Sequence, residues 1–276
     1  MLQRRIFAVA VVLLCMATLM TGAWAQGLGN NCSTLPTQAQ LQSALISAVT
    51  TETSGLNLNM WATLVARDGT VCAVAFSGNT SGSQWLGSRV ISAQKANTAN
   101  LFSLDSSSFS GTTQSGASNG LALSTANLFS AVQPGGSLFG LQESNPVDTS
   151  SAYGGNSALY GTVNDPMVGT KIGGVNVFGG GLALYGPSKT LVGGVGVSGD
   201  TSCADHMIGW RLRHNLNLDH MSGVGGVSGD SAHPDNIIYD ITPNPDGSGG
   251  TANSAGGFGH PKCINTADPG TLPGVR

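Results

Sequence analysis

Charge is scarce in this chain. Only 9% of its 276 residues are Asp, Glu, Lys or Arg, and glutamate occurs twice, as Glu52 and Glu143. A formal net charge of −3 gives no basic face of the kind nucleic-acid binding requires, so nucleic acid is not an expected partner. No Cys-x-x-Cys pair occurs, which removes the simplest zinc and thioredoxin-like readings. His-Glu-x-x-His is also missing, and the letters Gly-x-Ser-x-Gly occur only as Gly116-Ala117-Ser118-Asn119-Gly120, inside a Ser/Gly/Thr-rich stretch that reads as a loop, so neither a zincin helix nor a nucleophile elbow is signalled. A Ser/His/Asp triad escapes such a search, because its members meet only in the fold.

What is plentiful is glycine, with 41 residues, so solubility rests on Ser, Thr and Asn. Arg4 and Arg5 precede an apolar run over residues 6–20, and Ala23-Trp24-Ala25 supplies small residues at a cleavage point. Residues 1–25 read as a cleaved signal peptide with Gln26 as the mature start. The run is shorter than the ~20 apolar residues of a membrane span, and Cys15 follows Leu14, not the small residue of a lipoprotein signal. Cleavage takes the net charge from −3 to −5 and implies a periplasmic or secreted protein with no membrane association afterwards. Cys32, Cys72, Cys203 and Cys263 remain, an even number that reads as two disulfides with three pairings to choose from.

Residues 37–52 show helical periodicity through Leu41, Leu45, Ile46 and Val49, with Thr37 as the cap and Gly55 as the stop. Residues 60–67 and 70–76 alternate as strands around Asp68-Gly69, a strong hairpin signal. A second helix is expected over 88–102, with Gln94 and Thr98 inside its apolar stripe. Residues 104–120 and 142–167 read as loops, with a short helix over 123–132 between them. Strands follow over 175–185 and 190–198. Then comes a helix whose start is marked by Ser202 with Asp205 as a capping box and Asp200 as a second cap. In the tail only 236–241 resembles a strand.

This order, helix, hairpin, helix, insertion, two strands, helix, fits an α+β domain with an antiparallel sheet flanked by helices. The domain spans 26–220, with insertions at about 104–168, and a loop-rich tail over 221–276 packs on it. The first helix running antiparallel to the first strand brings Cys32 to Cys72, which leaves Cys203 with Cys263.

Asp68-Gly69 between strands, Lys95-Ala96-Asn97-Thr98-Ala99 on a helix, Gly179-Gly180-Gly181-Leu182, and the Val-Gly-Gly-Val-Gly-Val-Ser-Gly strand over 192–199 occur in that order. Together they resemble the GlcG/HbpS-like haem-binding family over roughly residues 37–218. The resemblance implies a profilin-like or PAS-like α-β-α layered fold, haem or a related tetrapyrrole as ligand, and a tendency to form homo-oligomers. It points to Lys95 and Thr98, and to Thr125 or a serine near Ser106 for the family's iron-contacting hydroxyl, in a region rebuilt by the insertion.

Haem needs an apolar slot, an axial ligand and cations for its propionates. The helix after Asp200 carries His206, Arg211, Arg213 and His214, and His206 with His260 are the first candidates for the iron. Met207 and Met221 read as packing residues. Gly194-x-Gly196-x-x-Gly199, with Asp219 about 20 residues on, copies a dinucleotide fingerprint in letters but lacks the second parallel strand. The loop acids Asp230, Asp235 and Asp246 do not have EF-hand spacing. The resulting expectation is an exported, non-enzymatic haem-binding protein for scavenging, storage or sensing. Its competitors are an enzyme acting on a small cofactor or organic acid at the same cleft, and a ligand-free interaction module using Trp85.

Overall fold

The computed structural model describes residues 31–242, 244 and 254–276, so the proposed leader, residues 1–25, and Asp246 lie outside the described residues. Thr37 caps α1 (Gln38–Thr50) through a reciprocal box with Gln40, which satisfies two of the free N–H groups at the helix start. Strands β1 (Trp61–Ala66) and β2 (Val71–Phe76) form the hairpin around Asp68-Gly69, with Gly69 at φ +87°. After α2 (Ser88–Leu101), the chain makes a separate two-stranded ribbon, β3 (Leu104–Thr113) and β4 (Gly116–Leu121). Residues 104–120 are therefore not a loop. Their Ser/Thr/Gly composition hides the strands because this ribbon is largely exposed and needs no apolar alternation. Short helices α3 (Leu128–Ala131) and α4 (Thr149–Tyr153) follow, then β5 (Gly181–Tyr185), β6 (Leu191–Ser198) and α5 (Ser202–Asn215).

The main sheet has the order β2-β1-β6-β5 and is antiparallel throughout. Its two faces differ because β6 alternates Gly with Val. Val195 and Val197 point into the core shared with Leu41 and Leu45 of α1 and Met207, Ile208 and Leu212 of α5. Gly194 and Gly196 face α2, where an added Cβ would collide with the carbonyl oxygens of Ala96 and Ser92. The result is an α-β-α layering, α2 on one face and α1 with α5 on the other. It also explains the glycine spacing, which admits a helix backbone onto an antiparallel sheet; the dinucleotide reading fails for that reason.

Two expectations change in detail. Residues 175–180 are irregular and only Gly181–Tyr185 is strand, because Gly180 at φ +115° breaks the extended run. In the tail, 236–241 makes no strand beyond a single bridge, Ile241 with Ser254. The structure joins Cys32 to Cys72 with Cα atoms 5.3 Å apart and Cys203 to Cys263 at 5.9 Å, the pairing that the element order implies. Among the described residues no helix is long and apolar enough to cross a membrane.

Candidate functional site

Helix α5 gathers the candidate residues, and its two ends differ. At the start, Thr201 is the cap, accepting from the Ala204 N–H at 3.3 Å. Ser202 is thus the first helical residue and not the cap. Asp205 instead turns back to accept the N–H groups of Gly199 (3.1 Å) and Asp200 (2.9 Å). Asp200 accepts from Leu56 and Leu58. Asp205 is reserved for Lys95: the ammonium lies 2.6 Å from its carboxylate, 3.0 Å from the Val197 carbonyl and 4.0 Å from the centre of the Phe178 ring. Burial pushes the Asp205 carboxyl up to about 6 against the pull of Lys95, and burial likewise lowers the Lys95 ammonium. Thr125 completes this corner, donating to the Phe178 carbonyl (2.7 Å) and accepting the Gly181 N–H (2.8 Å). Thr98, one turn from Lys95, donates to Gln94 and accepts from Asn176.

Along its middle, α5 buries the face that carries polar residues. The tail covers it. Arg213 makes a two-point pair with Asp235, at 2.6 and 2.9 Å, both side chains fully buried, and lies over the Trp210 ring at 4.4 Å. His206 Nε2 faces Asn236 Oδ1 and the Ile237 N–H, each at 3.1 Å, while Nδ1 has no partner among the described residues. Burial lowers the His206 imidazole to about 4. His260, carried by the tail, has both ring nitrogens engaged, Nε2 with Ser202 Oγ at 2.6 Å and Nδ1 with the Pro261 carbonyl at 2.7 Å. Cys203, His260 and Cys263 hold ligand atoms within 4.8 Å of one another, but the sulfurs are bonded to each other. A closed disulfide offers no thiolate to a metal.

The C-terminal end of α5 is open. Asn217, at φ +56°, lets the helix finish in a Schellman turn, Asn217 N–H to His214 O (3.0 Å) and Leu218 N–H to Arg213 O (3.2 Å). That reversal brings Asp219 back beneath His214. Its carboxylate accepts the Nδ1–H at 2.7 Å, and Nε2 of the imidazole then accepts from Arg276 at 3.1 Å. The His214 side chain is 29% exposed whereas Asp219 is 2% exposed. Arg211 has one partner, Glu52 at 3.4 Å through Nε, so both its Nη groups are without a partner among the described residues. His214 and Arg211 line an open groove of 360 Å³ with Ser47, Thr51 and Pro273. A second groove of 500 Å³, lined by Ala39, Ala44 and Leu216, shares Ser47 and Asn215 with it.

Among the sequence candidates, then, Lys95 and Thr125 meet at Phe178, His206 and Arg213 are covered by the tail, His260 meets Ser202, and only His214 and Arg211 line a groove. Residues 235 and 236 of the tail, which close the polar face, carry no periodicity that would announce them. Asp219, which the dinucleotide letters single out, serves His214 instead, and the asparagine at position 217 is the signal that the helix turns back there. Asp230 is occupied with His233, at 2.6 Å, and Asp235 with Arg213, so neither is a free cation ligand.

The family described as haem degrading protein HbpS-like matches residues 38–211, and the chain belongs to that family. No curated protein matches it. Among solved structures it is similar to the PduOC:heme complex, at 21% identity and a TM-score of 0.40, over 65% of this chain and 91% of that one. It is also similar to Klebsiella pneumoniae protein ORFY, at 23% identity and a TM-score of 0.39, over 66% and 90%.

Proposed function

We propose that this protein binds haem or a related tetrapyrrole in an oxidising, exported compartment, in the groove between α1 and the C-terminal half of α5. Family membership supports the ligand class, and two disulfides fit the compartment. The observation that carries the placement is His214, the one candidate histidine whose Nδ1–H is held by a buried carboxylate while its ring lines a groove, with Arg276 on Nε2. A carboxylate behind the imidazole fixes its tautomer and ring orientation. The donor set, an imidazole and a guanidinium, therefore fits the iron and a propionate here, while the apolar surface comes from the adjoining groove. The fit is poor at His206, which is fully buried under the tail, and at His260, both of whose ring nitrogens are engaged.

Bound haem would supply an iron for an imidazole and two propionates for cations. His214 would present Nε2, with Arg276 giving way, and Arg211 would offer its two Nη groups to a propionate. Ala39, Ala44 and Leu216 would cover apolar edge. The role that fits is scavenging, storage or sensing, without turnover of the ligand.

The test is a haemin titration of oxidised residues 26–276 followed by visible absorption, run on the parent and on His214→Ala, His206→Gln and His260→Gln. A saturable Soret band at near-stoichiometric haemin, displaced only in His214→Ala, is expected. An identical band in His214→Ala moves the ligand elsewhere; a non-saturating response in the parent overturns haem binding.

A further inference from the structure

Because Thr201 caps α5, the hydroxyl of Ser202 is released from helix duty, and the tail brings a base to it. Its Oγ lies 2.6 Å from His260 Nε2 and accepts the Gly179 N–H at 2.7 Å. The direction of the first bond follows from the other side of the ring. Nδ1 of His260 lies 2.7 Å from the Pro261 carbonyl, which can only accept, so Nδ1 carries the proton. Nε2 of the neutral ring is then the acceptor, and the Ser202 O–H donates to it. Burial holds His260 at about 4, so the ring is neutral at physiological pH. The arrangement is a hydroxyl hydrogen-bonded to an unprotonated imidazole whose tautomer is fixed by a third group, the relationship of an activated nucleophile. The disulfide Cys203–Cys263 ties the residue after Ser202 to the residue three beyond His260, clamping both partners. Ser202 is half-buried, not sealed. The Cys203 N–H, at the start of a 14-residue helix, has only a disulfide sulfur as partner, at 3.2 Å.

We propose that Ser202 and His260 form a nucleophile–base dyad that performs acyl transfer on short-chain carboxylic esters. Ser202 Oγ bonds to the ester carbonyl carbon as its proton passes to His260 Nε2, and the Cys203 N–H would turn from Cys263 Sγ to the developing oxyanion. Collapse breaks the bond to the leaving alkoxide, which takes the proton from Nε2. Water, deprotonated by the same nitrogen, then releases the carboxylic acid and restores Ser202. Close packing by Phe129, whose ring centre is 4.8 Å from that of His260, restricts the acyl group to short chains.

The test treats the oxidised chain with a small alkyl fluorophosphonate, in which Oγ displaces fluoride from phosphorus, followed by intact mass and peptide mapping. One adduct per chain, on the peptide carrying Ser202, is expected, with p-nitrophenyl acetate hydrolysis that ends when the adduct forms. His260→Gln should label at least ~100-fold more slowly, the usual worth of a positioned general base. No adduct on Ser202 in the parent overturns the proposal whatever the variant does. Equal labelling rates in parent and His260→Gln reduce the pair to a structural hydrogen bond and overturn it as well.

Discussion

Asp235→Ala tests whether the tail belongs to the core. In the parent, Asp235 and Arg213 are both fully buried and joined by two hydrogen bonds; the third partner of the guanidinium is the Ala183 carbonyl at 3.2 Å. Truncating the acid leaves a cation buried against Trp210 with one carbonyl and an Nε that already lacks a partner. Breaking a buried pair from one side costs about 3–5 kcal/mol, because the remaining charge keeps its desolvation penalty. For a domain of this size that corresponds to a loss of roughly 6–20 °C in Tm. Urea unfolding of the oxidised chain, monitored by tryptophan fluorescence since Trp210 sits at the pair, reads it directly. The double variant Arg213→Met/Asp235→Leu should recover most of the loss, since apolar side chains of similar volume replace such pairs at little cost. A loss below about 1 kcal/mol for Asp235→Ala, within the range of exposed pairs, would mean that the tail does not cover α5 in solution, and would refute the reasoning.

Other substitutions probe other layers. Gly196→Ala drives a methyl group into the Ser92 carbonyl and should cost about 1–3 kcal/mol or prevent folding, read as a lower urea midpoint; a neutral result would contradict the packing of α2 on β6. Replacing Cys203 and Cys263 together by serine opens a loop with a sequence separation of 60, worth about 4 kcal/mol in the chain-entropy account, measured by the same unfolding. His206 and His260 are both lowered by burial to about 4 from 6.5. Unfolding therefore takes up protons between those values, and stability, complete above pH 6.5, is lost as pH falls towards 4, by about 3 kcal/mol per histidine. Unfolding midpoints across that range check it, and His206→Gln should flatten the slope, by more than half below pH 6 because Asp205, raised to about 6, opposes one histidine there.

Much of this fold is legible in residues that act locally. Asp68-Gly69 announces its hairpin, Thr37 with Gln40 announces α1, and the Gly/Val alternation of residues 192–199 contains the three-layer packing once the glycines are seen as room for a backbone. The misreadings share a cause. Residues 104–121 form a ribbon without apolar alternation, since β3 is largely exposed and β4, among its described residues, buries only the small Ser118 and Gly120. The polar face of α5 reads as ligand-facing because its cover, Asp235 and Asn236, lies about two dozen residues or more away in irregular chain. His206, the first-ranked ligand, is chemically the right residue type in a sealed place. His214 ranks higher only when Asn217 is understood to fold Asp219 back under it. That step depends on a left-handed turn which asparagine permits and does not dictate.

The two proposed sites also obey the polarity of one helix. Aligned peptide dipoles leave partial positive charge at the start of α5 and partial negative charge at its end. At the start stand Ser202 and the Cys203 N–H, where acyl transfer would develop an oxyanion. At the end stand His214 and Arg211, with Asp219 behind them, where a cationic iron would be favoured. The tail bridges both, reaching Ser202 through His260 and His214 through Arg276. Release of Arg276 from His214 therefore need not disturb His260, because the Cys203–Cys263 link stands between them in the chain. It follows that His214→Ala should abolish the parent Soret band while leaving the fluorophosphonate adduct on Ser202 intact, and Ser202→Ala should do the reverse. Loss of both signals in either variant would make the two ends one site.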